Sequence, residues 1–263
     1  MDTSSESTSL LAIGGLDPTG GAGLLLDSAA ARSMGVHCAG ICTISTVQNG
    51  QEFVRSRIED PQFVTSSIEA VFSTMNIGAV KTGALGSGET IRSLSALAAQ
   101  WHSFPLIIDP VIRSSSGGAL LDDSGIAVLK DGLMRHATLV TPNLPEAEIL
   151  TDTRIADADG MLAGALKLLE TGAKAILIKG GHLDGDDIID VFVDNRGAIE
   201  VFSSQRIKGE SVRGTGCALA STIASLMIKG HDLHHAVKTA REIVGQKIQT
   251  ARRLGSGPPL LFF

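Results

Sequence analysis

The chain has 263 residues, of which 43% are hydrophobic and 19% are charged, and its formal net charge is −6. The acidic charge, the absence of any lysine/arginine run and the 3% aromatic content argue against a nucleic-acid-binding surface. No signal-peptide pattern begins the chain, and no apolar run approaches the roughly 18 residues of a membrane helix, so we expect a cytoplasmic protein with no membrane partner.

Short apolar runs alternate with longer amphipathic segments along most of the chain. The apolar runs predict strands and the amphipathic segments predict helices. Strands that are apolar almost throughout are typical of a parallel sheet covered by helices on both faces, so the predicted class is α/β. The predicted strands are 10–15, 36–44, 77–83, 105–110, 137–142 and 174–180, and the predicted helices between them are 21–34, 61–74, 88–102, 143–151 and 158–171.

The alternation changes in the last third of the chain. Two β-like runs flank the tripeptide 195–197, Asn-Arg-Gly, which favours a hairpin. Helices are then predicted at 215–230 and 233–252. Because no linker rich in Pro, Gly or Ser divides the chain, we expect one domain over 10–263, preceded by a disordered tail over 1–9.

Several polar clusters fall where predicted strands end. In an open α/β sheet, ligands bind at the carboxyl ends of the strands. We therefore expect these clusters to converge on one site. They are 15–17 with 19–23, Gln48-Asn49, 81–83, Asp109-Pro110 and 179–182.

The stretch RGTGCALAS, residues 213–221, combines a glycine-rich turn with a predicted helix start. Backbone N–H groups of Gly214, Thr215 and Gly216 could converge there on an anion, aided by the partial positive charge of the helix end. A thiol at that end should ionise more easily, which makes Cys217 a candidate proton acceptor. The alternative is a small apolar residue packed under the turn.

Two common nucleotide-binding motifs are not supported. The chain has no Gly-x-x-x-x-Gly-Lys-Ser/Thr sequence. The Gly-Thr-Gly at 214–216 follows a hairpin region near the C-terminus, whereas a dinucleotide fingerprint opens a βαβ unit.

Seven motifs occur together in a characteristic order: GGLDPTGGAG at 14–23, VQN at 47–49, KTG at 81–83, DPV at 109–111, TPNLPEAE at 141–148, KGGH at 179–182 and GTGC at 214–217. Together they closely resemble the hydroxymethylpyrimidine/phosphomethylpyrimidine kinases of thiamine biosynthesis, a ribokinase-like family. The resemblance runs from about residue 10 to about residue 255. It implies a three-layer α/β/α sandwich with a mostly parallel central sheet.

The same resemblance implies the reaction. A kinase of this family uses ATP and Mg²⁺ to phosphorylate the hydroxymethyl group of 4-amino-5-hydroxymethyl-2-methylpyrimidine and then its monophosphate. It also implies a homodimer. The pyrimidine would lie against Gly15, Asp27, Gln48 and Val111, with Asp27 and Gln48 as hydrogen-bonding groups that match the donors and acceptors of the ring. A solvated helix carboxylate is the alternative for Asp27.

The resemblance places Asn143 and Glu146 near Mg²⁺ and the ATP phosphates, with Asp109 as a further metal candidate. Contact through water suits Mg²⁺, which usually takes only one or two carboxylates. Asn143 and Glu146 could equally form a helix-capping pair, and both roles can hold at once. Lys179 is assigned to phosphate contact, with a snorkelling surface lysine as the alternative.

The resemblance also assigns roles in the GTGC turn, where Gly214, Thr215 and Gly216 would donate to the transferring phosphoryl group. Cys217 would accept the proton of the substrate hydroxymethyl group. A modest base suffices, because phosphoryl transfer needs mainly positioning and charge neutralisation. For His182 we expect only a structural role.

Three positions depart from the usual family pattern. Leu16 replaces a Ser or Thr, Ala84 replaces a Met that lines the pyrimidine pocket, and the lid sequence at 113–117 lacks the usual Ala-Lys. Arg113 is then the candidate cation for the second phosphorylation. These departures leave two alternatives open, a pyridoxal kinase and a non-catalytic pyrimidine-binding regulator.

Overall fold

The computed structural model describes residues 8–114, 117–181, 183, 185–207, 209 and 211–263. Within these ranges a single sheet of nine strands forms the centre of the fold. The strands are β1 (Ser9–Leu16), β2 (Cys38–Gln48), β3 (Phe53–Ile58), β4 (Ile77–Thr82), β5 (Leu106–Ile108), β6 (Leu139–Val140), β7 (Ala175–Ile178), β8 (Asp187–Asp194) and β9 (Ile199–Gln205).

The sheet has the order β3-β2-β1-β4-β5-β6-β7-β8-β9. Neighbouring strands from β2 to β7 pair in parallel. Among the described residues, antiparallel pairs occur only near the two margins of the sheet. They join β2 with β3, β7 with β8, and β8 with β9. The strand order reverses direction at β1, so the carboxyl ends of β1, β4 and β5 border a crevice suited to a ligand.

Helices cover both faces of the sheet. They are α1 (Gly23–Ser33), α2 (Pro61–Phe72), α3 (Gly88–Ala98), α4 (Asp123–Asp131), α5 (Leu144–Thr151), α6 (Ala158–Leu169), α7 (Thr215–Ile228) and α8 (Leu233–Gln249), with a short 3-10 helix at Leu133–His136. α1, α7 and α8 pack together on one face, and α2 to α6 lie on the other. No helix in the described ranges has both the length and the apolar character needed to cross a membrane.

Two apolar cores lie between the helices and the sheet. Successive strand residues point to opposite faces, so Leu11 and Ile108 join the core under α2 to α6, while Leu10 and Ile107 join the core under α1, α7 and α8. Burial on both faces explains why these strands are apolar throughout. The predicted α/β/α sandwich with a mostly parallel sheet is confirmed.

The predicted elements agree with the structure to within a few residues at their ends, and the predicted hairpin is formed by β8 and β9. Three elements were not predicted: β3, α4 and the 3-10 helix. β3 lies at the sheet margin with exposed residues such as Val54 and Arg55, so it lacks the apolar run that marked the other strands. β1 begins at Ser9, within the predicted tail, and residues 1–7 lie outside the described ranges, as do Ser115, Ser116 and His182.

Candidate active site

One large cleft of about 1580 Å³ lies at the carboxyl edge of the parallel strands. Every residue assigned from the sequence to catalysis, substrate, phosphate or metal lines it, so the predicted convergence is observed, whereas their individual roles remain predictions. These residues are Gly15, Asp27, Gln48, Asp109, Val111, Arg113, Asn143, Glu146, Lys179, Gly214, Thr215, Gly216 and Cys217.

The GTGC turn forms the start of α7. Gly214 precedes the helix with φ +77°, and a Cβ there would lie 2.3 Å from the backbone oxygen of Gly21, so only glycine fits. Gly214 has no side chain with which to cap this helix end. The amides of Thr215, Gly216 and Cys217 belong to the first turn, where N–H groups have no carbonyl partner within the helix. The turn therefore offers donors and partial positive charge to an anion in the cleft.

A lysine and a carboxylate lie directly beside this turn. Lys179 Nζ is 2.9 Å from Asp109 Oδ1. A Cβ added to Gly216 would lie 3.0 Å from Lys179 Nζ and 3.4 Å from Asp109 Oδ2. The glycine thus lets the start of α7 approach both charged groups. Lys179 follows the end of β7 and Asp109 follows the end of β5, so the two strand ends place the two side chains together. Lys179 is not a snorkelling surface lysine, because only 16% of its side chain is exposed and its amino group pairs with Asp109.

Asn143 and Glu146 form a capping box at the start of α5. Asn143 Oδ1 accepts from the Glu146 amide at 2.9 Å, and Glu146 Oε2 accepts from the Asn143 amide at 2.8 Å. Burial raises the pKa of Glu146 to about 7. The positive charge of Lys179 lowers this pKa, and the negative charge of Asp109 raises it further. The capping role is confirmed, and the assignment to ATP and metal remains a prediction.

The donor set around Glu146 fits a magnesium ion. Glu146 and Asp109 supply carboxylate oxygens, and these are the hard ligands that Mg²⁺ prefers. Because each of these carboxyl groups already has protein partners, contact through metal-bound water suits the site better than a direct cage. A cation here would favour the ionised form of Glu146, which burial disfavours.

Asp27 forms a buried ion pair that the sequence analysis missed. Lys81 Nζ donates to both carboxylate oxygens of Asp27 at 2.9 Å, and Ser221 Oγ donates to Oδ1 at 2.8 Å. Burial raises the pKa of Asp27, and the charge of Lys81 lowers it. The alternative of a solvated helix carboxylate is wrong, because none of the Asp27 side chain is exposed. A lysine inside the apolar strand IGAVKT was the signal for this pair.

Cys217 does not have the readily ionised thiol that the sequence suggested. Burial raises its pKa to about 11, although the charge of Lys81 lowers it. The residue is partly buried and packs against the core between the sheet and α7. Desolvation by that core outweighs the positive charge nearby, so the thiol is protonated at neutral pH in the ligand-free protein.

An apolar wall lines the same cleft as the charged groups. Ile44, Ala84, Val111 and Leu120 pack together where β2, β4 and β5 reach the cleft. A Cβ on Gly15 would lie 3.2 Å from Ile44 Cγ2, so glycine avoids a tight contact with the wall at this point. An apolar surface bordered by hydrogen-bonding groups suits a heteroaromatic ring.

Arg213 is a second residue that the sequence analysis missed. Its Nη2 donates to Asp17 Oδ2 and to Gln48 Oε1, both at 3.0 Å, and only 5% of the side chain is exposed. It stands immediately before the GTGC turn in a loop without apolar periodicity, so the sequence gave no sign of its burial.

Arg113 lies exposed at the rim of the cleft. Its backbone bridges to Ala119, and the Ser114 amide donates to the Gly118 oxygen at 2.8 Å. This arrangement holds the start of the Arg113 side chain at the cleft entrance.

A sequence profile described as phosphomethylpyrimidine kinase matches residues 17–260. The chain belongs to this family. A hydroxymethylpyrimidine/phosphomethylpyrimidine kinase from Aquifex aeolicus is 34% identical over 253 residues, which cover 96% of this chain and 99% of the relative. The match confirms the resemblance seen in the motifs and the assignment to a family of phosphotransferases.

Other relatives combine this unit with further sequence. The thiamine biosynthesis bifunctional protein ThiED from Geobacter sulfurreducens is 36% identical over 249 residues, and the chain spans about half of that protein, 51%. Among solved structures, a pyridoxal kinase from Staphylococcus aureus, in complex with AMP-PCP and pyridoxal, has a TM-score of 0.88 at 22% identity and covers 97% of this chain. That likeness establishes the shared fold.

Proposed function

We propose that this phosphomethylpyrimidine kinase family member phosphorylates the hydroxymethyl group of 4-amino-5-hydroxymethyl-2-methylpyrimidine with ATP, and then phosphorylates the monophosphate, in thiamine biosynthesis. The observation that carries the proposal is that Cys217, the α7 start and the Lys179–Asp109 pair line the same cleft as an apolar wall. The names of the relatives support the same substrate.

The ring would bind against the wall formed by Ile44, Ala84 and Val111, beside Gly15. Gln48 would supply hydrogen bonds to the ring, and Asp27 would do so only after its carboxylate, which is fully buried and accepts from Lys81 and Ser221, becomes accessible to the ring. These bonds would orient the hydroxymethyl group toward Cys217. Most of the apolar ring surface is then removed from water, while the polar groups set its orientation.

The ATP phosphates would bind at the amides of Thr215 and Gly216 and at Lys179. Such fixed donors stabilise the charge that develops on the transferring phosphoryl group without reorganising during the reaction. Asp109 and Glu146 would hold Mg²⁺ through water, with Asn143 alongside, and the ion would neutralise phosphate charge.

Cys217 would accept the proton of the hydroxymethyl group. Because burial keeps the free thiol protonated at neutral pH, the thiol must first release its proton to solvent, and the resulting thiolate, which the α7 start and the charge of Lys81 favour, then accepts the hydroxymethyl proton. Turnover should therefore rise with pH over the neutral to alkaline range.

A homodimer, measurable by light scattering after size exclusion, is part of the proposal.

The alcohol preferred as acceptor separates this proposal from a pyridoxal kinase. Ala84 leaves a smaller side chain in the wall than the methionine usual in the family, which makes room for a more substituted ring. ADP formation should be measured with Mg²⁺-ATP and, in turn, the pyrimidine alcohol, pyridoxal, pyridoxine or no acceptor.

We expect the highest kcat/KM with the pyrimidine alcohol. Higher kcat/KM with pyridoxal would support the alternative kinase, and pyrimidine binding without ADP formation would support the regulator.

Cys217→Ala should still bind the pyrimidine but lose about 10²–10⁴ in turnover, the usual effect of removing a general base. Near-wild-type turnover in this variant would show that Cys217 is not the base and only packs under the turn.

A further inference from the structure

A directed chain of hydrogen bonds runs along one wall of the cleft. Arg213 Nη2 donates to Gln48 Oε1 at 3.0 Å, Gln48 Nε2 donates to Thr46 Oγ1 at 2.8 Å, and Thr46 Oγ1 donates to the Leu16 backbone oxygen at 2.9 Å. All four residues line the cleft. The chain therefore connects a buried arginine to a backbone carbonyl through the amide assigned to substrate binding.

The two ends of this chain fix its direction. A guanidinium group can only donate, so the Gln48 atom beside Arg213 must be the amide oxygen. A backbone carbonyl can only accept, so the Thr46 hydroxyl hydrogen points to Leu16 and the hydroxyl accepts from Gln48. The amide nitrogen of Gln48 must then face Thr46. Reversing the amide would place two donors together at the Arg213 end, and at the other end the Thr46 hydroxyl would have to give up its bond to Leu16 to donate to the amide oxygen.

Arg213 is held rigidly at its end of the chain. Its Nη2 also donates to Asp17 Oδ2 at 3.0 Å, and Asp17 Oδ1 accepts from the amide and the hydroxyl of Thr19 at 2.9 and 2.8 Å. The Arg213 amide donates to the Pro259 oxygen at 3.2 Å. Asp17 therefore holds the guanidinium group and the Pro259 oxygen holds the Arg213 backbone, so the position of Arg213 does not depend on Gln48 alone.

The burial of Arg213 is unfavourable for stability alone. Within the described part of the chain, its Nε and Nη1 are buried without a hydrogen-bond partner. Unsatisfied buried donors cost free energy, and a buried ion pair is often no more stable than apolar residues of the same volume. A role in the adjacent site explains the placement better than a role in folding.

We propose that Arg213, acting through Gln48, is a specificity-determining positioning residue for the ring substrate. It locks the Gln48 amide into one order of donor and acceptor along the cleft wall, so the site accepts a ring with the complementary order and rejects a ring with the inverse order. A 4-aminopyrimidine presents a donor beside a ring-nitrogen acceptor, and its 4-oxo counterpart presents an acceptor beside an N–H donor. The inference rests on the proposed function, because it takes a pyrimidine as the ring.

The test compares the 4-amino and 4-oxo forms of the hydroxymethylpyrimidine as phosphoryl acceptors. Buried polar groups left unpaired by the wrong ring give the wild type a preference for the amino form of about 10³-fold or more in kcat/KM. Thr46→Val removes the acceptor that holds the amide nitrogen, and Thr46→Ser keeps it. Arg213→Met removes the donor that holds the amide oxygen, and Arg213→Lys keeps a donor.

Arg213→Met should lower the preference roughly tenfold or more, with an absolute gain in kcat/KM for the oxo form, because the released amide can reverse. Thr46→Val should lower the preference by a smaller factor, because Arg213 still holds the amide oxygen. Thr46→Ser and Arg213→Lys should stay close to the wild-type ratio. KM for ATP should not change in any variant that folds. A purely structural role would lower turnover of both rings together and could not raise turnover of the wrong one.

The proposal would be overturned if Thr46→Val lowered kcat/KM for both rings by the same factor. It would also be overturned if Thr46→Ser changed the ratio of the two kcat/KM values as much as Thr46→Val does. Thr46 is only partly buried, so its variants remain informative if Arg213→Met does not fold. If the wild type binds the rings but phosphorylates neither, the proposed function fails, and the ratio of the two Kd values measured by calorimetry in the same variants tests this inference. A wild type that binds neither ring, or both equally, contradicts it.

Discussion

Lys81 Nζ lies 2.9 Å from both carboxylate oxygens of Asp27, and 1% and 0% of the two side chains are exposed. Removing one partner of such a pair leaves an uncompensated charge in the interior. Lys81→Met should therefore lower the free energy of unfolding by about 3–5 kcal/mol. Urea denaturation monitored by circular dichroism measures the change.

The matched control removes both charges. The double variant Lys81→Met with Asp27→Leu should be more stable than Lys81→Met alone, because apolar side chains of similar volume replace a buried ion pair at little cost. A Lys81→Met protein as stable as the wild type, or a double variant less stable than the single one, would show that the pair is not coupled in this way.

Two glycines of the GTGC turn should respond differently to alanine. At Gly216 a Cβ would lie 3.0 Å from the movable end of Lys179, so Gly216→Ala should fold but displace the lysine and lose about 10²–10³ in kcat. At Gly214 a Cβ would lie 2.3 Å from the Gly21 backbone oxygen at φ +77°, so Gly214→Ala should lose stability first.

Kinetics and thermal denaturation of both variants separate the two effects. Unchanged turnover in Gly216→Ala, or in the larger Gly216→Val, would remove the assignment of the turn to phosphate binding. A Gly214→Ala variant with wild-type Tm would show that the backbone relaxes at this point.

The Cys217 thiol should react slowly with alkylating agents at neutral pH. Only the thiolate is nucleophilic, and burial raises the pKa of Cys217 to about 11. The rate of iodoacetamide labelling, followed by mass spectrometry of the Cys217 peptide, should rise about tenfold per pH unit up to pH 10. A rate that levels off near pH 7 would mean that the thiol is already ionised. The Cys42 peptide provides an internal comparison, since that thiol is also free.

Arg113 should matter more for the second phosphorylation than for the first. The second step brings two anionic groups together, and Arg113 lines the cleft one position or more from where the lid lysine of the family would sit. Arg113→Ala should lower kcat/KM for the monophosphate by a larger factor than kcat/KM for the free alcohol. Arg113→Lys is the matched control that keeps the charge. Equal losses in both steps, or no loss in either, would exclude Arg113 from this role.

The sequence predicted the parallel core and the location of the site because both depend on patterns along the chain. Apolar runs such as 10–15 and 105–110 must lie in buried strands, and polar residues that follow them must meet at one edge of the sheet. The capping box of Asn143 and Glu146 was also recognisable, because its two residues are local in sequence.

The sequence did not reveal contacts between distant segments. Asp27 and Lys81 are 54 residues apart, and Arg213 and Gln48 are 165 residues apart. The lysine inside the apolar strand IGAVKT indicates that a buried partner exists, but nothing local identifies Asp27 as that partner or Gln48 as the partner of Arg213. The pKa of Cys217 was misjudged for the same reason, because the sequence shows the helix start but not the packed core that desolvates the thiol. β3 was missed because an exposed strand at the sheet margin need not be apolar.

The most direct test of the proposed function is the identity of the product formed from Mg²⁺-ATP and 4-amino-5-hydroxymethyl-2-methylpyrimidine, followed over time by mass spectrometry. We expect the monophosphate to appear first and the pyrophosphate to replace it, with one ADP formed for each phosphate transferred. A reaction that ends at the monophosphate would contradict the second step. ADP formation that does not depend on the pyrimidine, or a pyrimidine that gains no phosphate, would contradict the proposed function itself.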